Sequence, residues 1–172
     1  MTQLKIKCAN PKDASILTQI AFAAKKIWNY PQEYYEIWKD ELAITEKYIA
    51  DNTVFKAILQ NKVVGFYSIV LNPADFYSGE VYVMKGNWLE HIFILPEYHK
   101  KGIGSMLTDH AKEQCRQKKL DKLFIFVDPF AKGFYDKIGA EFLYNSKSSI
   151  PGREIPVYSL PCNYSSACFL KP

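Results

Sequence analysis

Apolar and polar residues alternate at the start of the chain. Leu4, Ile6 and Cys8 are separated by Lys5 and Lys7, so residues 3–8 read as a strand. Asn10, Pro11 and Asp13 then supply a helix start, and Ile16, Leu17, Ile20, Phe22 and Ile27 follow near helical spacing. From Trp28 to Asn52 breakers are scarce after Pro31, which predicts a second helical region. It is dense in aromatics, namely Trp28, Tyr30, Tyr34, Tyr35, Trp38 and Tyr48. A helical aromatic face usually covers a sheet, and some of these rings are free to line a pocket.

At Thr53 the period shortens. TVFKAIL and VVGFYSIVL are β-rich runs joined by QNK, a hairpin signal, and GEVYVMK and WLEHIFIL follow around a Gly-Asn pair. These runs predict a meander of antiparallel strands. Beyond Pro96 a glycine loop leads into a helix with apolar Ile103, Met106, Leu107, Ala111 and Cys115, while Lys112, Lys118 and Lys119 read as its solvated face. KLFIFV, 122–127, is a continuous apolar run suited to a buried strand parallel to the one before that helix. FAKGFYDKIG reads as a short helix closed by Gly139, and EFLYNS and EIPVYSL as two last strands. The prediction is an α/β fold of the α+β type: a mixed, mostly antiparallel central sheet with helices on both faces.

Composition narrows the function classes. The 172 residues suit a single domain spanning 1–172, and 48% apolar content argues against disorder. A net charge of +4 with no basic block gives no case for nucleic acid as a partner. Without a long apolar run there is no case for a membrane-spanning helix, and the opening MTQLKIKCANPKD is too polar for a signal peptide. Cytoplasmic residence is the expectation. Cys8, Cys115, Cys162 and Cys168 form no CxxC pair and no zinc-ligand spacing, so they read as separate thiols with no metal; a Cys162–Cys168 disulfide is the alternative in an oxidising compartment. The segment 161–172 is polar and breaker-rich, a loose tail or one packed on a neighbouring subunit.

The candidate chemistry centres on YHKKGIGSML, Tyr98 to Leu107. A helix start leaves free N–H groups and partial positive charge, and Gly102 and Gly104 clear the approach. Together they form an anion cradle suited to phosphate, with Lys100 and Lys101 beside it. The Walker loop is excluded because no Lys follows the second glycine in its frame; the dinucleotide fingerprint is excluded because Leu107 stands at its third glycine.

His99-Lys100-Lys101-Gly102-Ile103-Gly104 resembles the loop of the GNAT superfamily of acyl-CoA-dependent N-acyltransferases, in which Gln or Arg is followed two residues later by Gly-x-Gly or Gly-x-Ala. His99 departs from the Gln or Arg. DPFAKGFYDKIGAEF, 128–142, resembles the family's second motif, and the element order agrees from Leu4 to about Leu160. Glu90-His91 and Gly152-Arg153-Glu154-Ile155-Pro156 resemble features of a bacterial branch of this superfamily that has no widely shared acceptor.

The resemblance implies a splayed pair of parallel neighbours, the family's fourth and fifth strands, and acetyl-CoA as acyl donor. It implies that Ile92, Phe93 and Ile94 would hold the pantetheine arm, and Lys100, Lys101, Gly102, Ile103, Gly104 and Ser105 the pyrophosphate through backbone N–H groups. Tyr135 would contact the cofactor and protonate the leaving thiolate, and Glu90 would act as general base. Strand alternation puts Glu90 with Ile92 and Ile94 on one face and His91, the alternative base, on the other with Phe93. Asp128 stands where many members have a cofactor-touching Asn. Arg153 is open to an acidic substrate group or a structural carboxylate. The implied reaction is acetyl transfer to an amine of a small molecule or peptide. A non-catalytic acyl-CoA-binding or partner-binding module and a nucleotide-binding protein are the competing readings. The acceptor's identity stays open, as does oligomeric state, a homodimer included.

Overall fold

Residues 3–163 are described by a computed structural model. The strands are β1 (Lys5–Cys8), β2 (Thr53–Leu59), β3 (Lys62–Asn72), β4 (Phe76–Ser78), β5 (Val81–Val83), β6 (Gly86–Ile94), β7 (Lys122–Phe126), β8 (Glu141–Lys147) and β9 (Glu154–Pro161). The helices are α1 (Ala14–Lys26), α2 (Gln32–Leu42), α3 (Glu46–Asp51), α4 (Ile103–Gln117) and α5 (Lys132–Lys137). Seven strands form a sheet in the order β1-β2-β3-β6-β7-β9-β8; every neighbouring pair is antiparallel except β6 with β7.

Pleating sends successive side chains to opposite faces, and the two cores follow from it. Phe66 packs with Leu17, Ile20, Tyr35 and Trp38 of α1 and α2. Its neighbour Tyr67 packs with Ile103, Leu107 and Ala111 of α4 on the other side. Burying each such large apolar side chain contributes roughly 1.5–3 kcal/mol. Helices therefore cover both faces, as the 3.6-residue stripes predict.

Three local expectations change. GEVYVMK does not join the main sheet: its Val81–Val83 pairs with Phe76–Ser78 as a separate two-stranded sheet, and β6 pairs directly with β3. The aromatic region is two helices, because Thr45 starts α3 with its hydroxyl accepting from the Tyr48 N–H. Lys112 is not simply solvated, since its Nζ donates to the Ile138 carbonyl at the end of α5, 3.0 Å away.

The thiol reading also changes. Cys115 and Cys162 are buried with their sulfur atoms together and Cα atoms 6.0 Å apart, a span a disulfide bridges. Of the expected tail, Pro161 closes β9 and the Cys162 N–H donates to the Asp121 carbonyl. Cys168 lies outside the described residues, and with it the alternative Cys162–Cys168 pairing.

Candidate functional site

β6 and β7 pair at one register position, Trp88 with Phe124. Just beyond it, β6 carries a bulge: His91 faces Ser68 and Leu89 faces Ile69, which leaves Glu90 as the extra residue. A bulge bends its strand and interrupts the ladder, which here coincides with the parting of β6 from β7. The Leu95 N–H donates to Val64, which sets the phase of the β3 ladder. His91, Phe93 and Leu95 thus turn their backbone groups to β3, while Ile92 and Ile94 turn theirs toward the β7 side. Among the three residues expected at the pantetheine arm, Phe93 therefore presents no backbone group to the opening.

The bulge also overturns the alternation drawn for Glu90. Its carboxylate does not take the opposite side from His91: Oε2 lies 3.8 Å from His91 Nε2. Tyr48 Oη donates to that same oxygen at 2.5 Å and lies 2.7 Å from Ser68 Oγ. Glu90 is half-exposed and His91 nearly covered, among the rings of Tyr48, Phe66 and Phe93. Burial lowers the His91 pKa, against the opposing pull of the Glu90 charge, so the imidazole is neutral at neutral pH. Burial first, then the Glu90 charge, raises the Tyr48 phenol and keeps it a donor.

The glycine loop meets the end of this strand. Gly102, φ +79°, is the N-cap of α4, and no side chain caps the helix. The first helical bond runs from Met106 N–H to the Gly102 carbonyl, so the N–H groups of Ile103, Gly104 and Ser105 precede the ladder. Lys100, Lys101 and Ser105 are exposed around it. A Cβ on Gly104 would sit 3.3 Å from Ile94 Cδ1 and from the Phe134 ring, so this glycine is set by close packing. His99 has a visible role: its Nε2–H donates to the Ile94 carbonyl at 2.9 Å and ties the loop to β6.

Tyr135 is buried within α5 in the α4-side core, edge-on to Phe134. Burial raises its pKa, and the Asp128 charge adds to the rise, so the phenol stays protonated. Tyr135 and Glu90 belong to opposite faces of the sheet, on either side of β6 and β7.

Sequence reasoning missed a second cluster, built by Asp128. Its carboxylate accepts from Lys25 Nζ (2.5 Å), Tyr30 Oη (2.9 Å) and the Phe130 N–H (3.1 Å). These donors engage both carboxylate oxygens, Lys25 on Oδ2 and the other two on Oδ1. Arg153 Nη2 donates to Tyr30 Oη at 3.1 Å, and Lys25 Nζ lies 4.5 Å from the Trp38 ring centroid. Burial and the Asp128 charge push the Tyr30 phenol up to about 12. The available signal was Lys25 itself, a lysine four residues after buried Ala21 beside the apolar stripe of α1.

Among the described residues no group of three or more His, Cys, Asp or Glu side chains could hold a metal ion, and no helix is long and apolar enough to cross a membrane. A surface depression of about 480 Å³ lies at Tyr77, Tyr82 and Tyr144, away from the β6–β7 opening.

The sequence profile described as Acetyltransferase (GNAT) family matches residues 20–140. A search of curated proteins returned no match. Solved structures of the same fold are similar at low identity. One is the PaiA N-acetyltransferase of Thermoplasma acidophilum in complex with coenzyme A, at 18% identity, TM-score 0.70, covering 92% of this chain and 99% of that one. Another is the ribosomal-protein-S18-alanine N-acetyltransferase of Escherichia coli, at 17% identity, TM-score 0.66, covering 98% and 100%. A GNAT family acetyltransferase of Brucella melitensis in complex with acetyl-CoA matches at 19% identity, TM-score 0.59, covering 94% and 89%.

Proposed function

The chain belongs to the GNAT acetyltransferase family, and from that premise we propose that it transfers the acetyl group of acetyl-CoA to an amine of a small molecule or peptide by direct attack. One observation carries the reading: the β6–β7 pair opens at the Glu90 bulge, beside a glycine-started helix whose first N–H groups have no cap.

The backbone N–H groups of 102–105 receive the pyrophosphate, supported by the helix dipole and by Lys100 and Lys101. The backbone groups of Ile92 and the N–H of Ile94 pair with the pantetheine amides in the manner of an added strand, His99 already holding the Ile94 carbonyl. One of these N–H groups faces the thioester oxygen and stabilises the oxyanion.

An alkyl ammonium has a pKa near about 10, so the attacking amine must lose a proton at neutral pH. Glu90 accepts it through water, held by Tyr48 with Ser68 behind it. Neutral His91, 3.8 Å from Glu90, is the alternative acceptor. The amine nitrogen bonds the carbonyl carbon and loses its second proton to solvent, the C–S bond breaks, and Tyr135 protonates the thiolate and is reprotonated from solvent. Amide and free CoA result.

The test is thiol release from acetyl-CoA over an amine panel. Turnover with at least one amine is expected, with large losses in Tyr135→Phe and Glu90→Gln. Full activity in both variants refutes the assigned roles. Calorimetric CoA binding without turnover across the panel would instead favour a non-catalytic binding module.

A further inference from the structure

Arg153 is held by its backbone and by its ring contacts, yet its guanidinium is scarcely used. Its N–H donates to the Ile150 carbonyl at 3.1 Å, and its carbonyl accepts from the Ser148 N–H at 2.9 Å. The guanidinium carbon lies 5.3 Å from the Tyr30 centroid and 5.5 Å from the Trp38 centroid. Stacking occupies a face and leaves the N–H edges available. Of the five donors, one meets Tyr30 Oη, and no carboxylate of the described residues pairs with the group.

Asp128 is already engaged: it accepts three hydrogen bonds, from Lys25, Tyr30 and the Phe130 N–H, and none from Arg153. Burial lowers the Lys25 pKa against the pull of Asp128, the Arg153 charge lowers it further, and the Glu41 charge opposes it. Glu80 and Glu154 line the same depression of about 250 Å³ as Arg153. Glu80 is engaged by Lys147 at 2.9 Å; Glu154 makes no ion pair among the described residues. The cluster also adjoins the reaction centre assigned above: Asp128 caps the turn Pro129–Ala131, accepting from the Phe130 N–H, and that turn leads directly into α5, which carries Tyr135.

We propose that Arg153 receives a carboxylate of the acceptor, so that the amine this site acetylates carries an acidic group. The reading rests on the acetyltransferase assignment for the word acceptor, but not for the anion site itself. A guanidinium fork matches a carboxylate with two parallel N–H···O bonds, and its aromatic platform orients it before the ligand arrives. Lys25 cannot replace it, being bonded to Asp128.

The test needs no turnover. Glutarate is titrated into the protein and tryptophan fluorescence is read, Trp38 lying in the cluster; its neutral diamide, glutaramide, is the comparison. Glutarate is expected to give a saturable change and to bind at least about tenfold tighter than glutaramide. Arg153→Gln should weaken glutarate at least about tenfold, and Arg153→Lys, which keeps charge but loses the fork, should fall between. CoA titrated into the same samples checks that each variant is folded. Equal affinity for glutarate and glutaramide, no saturable response to glutarate, or unchanged glutarate binding in Arg153→Gln would each overturn the proposal. Failure of the wild-type protein to bind CoA would count against the acetyltransferase reading alone, leaving the glutarate result to stand by itself.

Discussion

Substituting Gly102 by Glu should weaken CoA binding far more than removing the Lys100 charge. Gly102 sits at φ +79° with nothing within 4 Å of an added Cβ, so a side chain there costs backbone strain but no clash. That strain is about 1–2 kcal/mol. A domain stability of roughly 5–15 kcal/mol absorbs it, with a Tm loss of about 2–4 °C per kcal/mol in a chain of this size. At the cradle the added carboxylate meets phosphate. Two unit charges about 5 Å apart at an effective dielectric near 20 repel by roughly 3 kcal/mol, and salt and side-chain movement reduce this to about 2. The expected loss is therefore on the order of 30-fold in CoA affinity. Lys100 is exposed, and losing such a charge costs about 0–1 kcal/mol, at most about fivefold. Calorimetry with CoA measures both without an acceptor. Gly139→Ala is the matched control: its φ is +81° and its Cβ also meets nothing, but it lies past α5, so it should lower Tm alike and leave CoA affinity intact. CoA binding by Gly102→Glu within threefold of wild type, or a larger loss in Lys100→Ala, would refute the helix-start cradle.

Three further outcomes follow from the same geometry. Gly104→Val should destabilise by roughly 1–3 kcal/mol, read as a Tm loss, because the Cβ alone already stands 3.3 Å from Ile94 and Phe134. Tyr48→Phe removes the donor to Glu90 and should lower kcat by about tenfold or more, a charged hydrogen bond being worth about 1.5–3 kcal/mol, and should shift the pH–rate profile, which a purely structural loss would not. Burial disfavours the His91 imidazolium, so its contribution to stability is complete above the unfolded-state pKa near about 6.5 and is lost as pH falls through that value toward the lower folded one. Denaturant titrations at pH 7.5 and pH 5.5 should therefore show a smaller drop for His91→Phe than for wild type; an equal drop would remove the imidazole from the account.

Much of the fold was legible along the chain because its signals are local. The stripe of α4 at Ile103, Leu107 and Ala111, the apolar run of β7 and the two glycines at the start of α4 each report geometry within one element. The uncapped start of α4 was legible for the same reason: a helix start and its glycines are neighbours in sequence. What pairing decided was different. Alternation placed Glu90 opposite His91, and the bulge against Ser68 and Ile69 brought the two together, because register depends on a partner strand that no local period describes. β4 and β5 had the composition of sheet strands but found each other instead. The Asp128 cluster joins residues as far apart as Lys25 and Arg153, and nothing local marks Asp128 as their meeting point. By itself the sequence determined most of the elements, the two amphipathic layers and the glycine start of α4, since each follows from spacing and backbone freedom. Only the tertiary structure decided which carboxylates have partners and that no carboxylate of the described residues pairs with the Arg153 guanidinium, because pairing of charges depends on distances between segments remote in the chain.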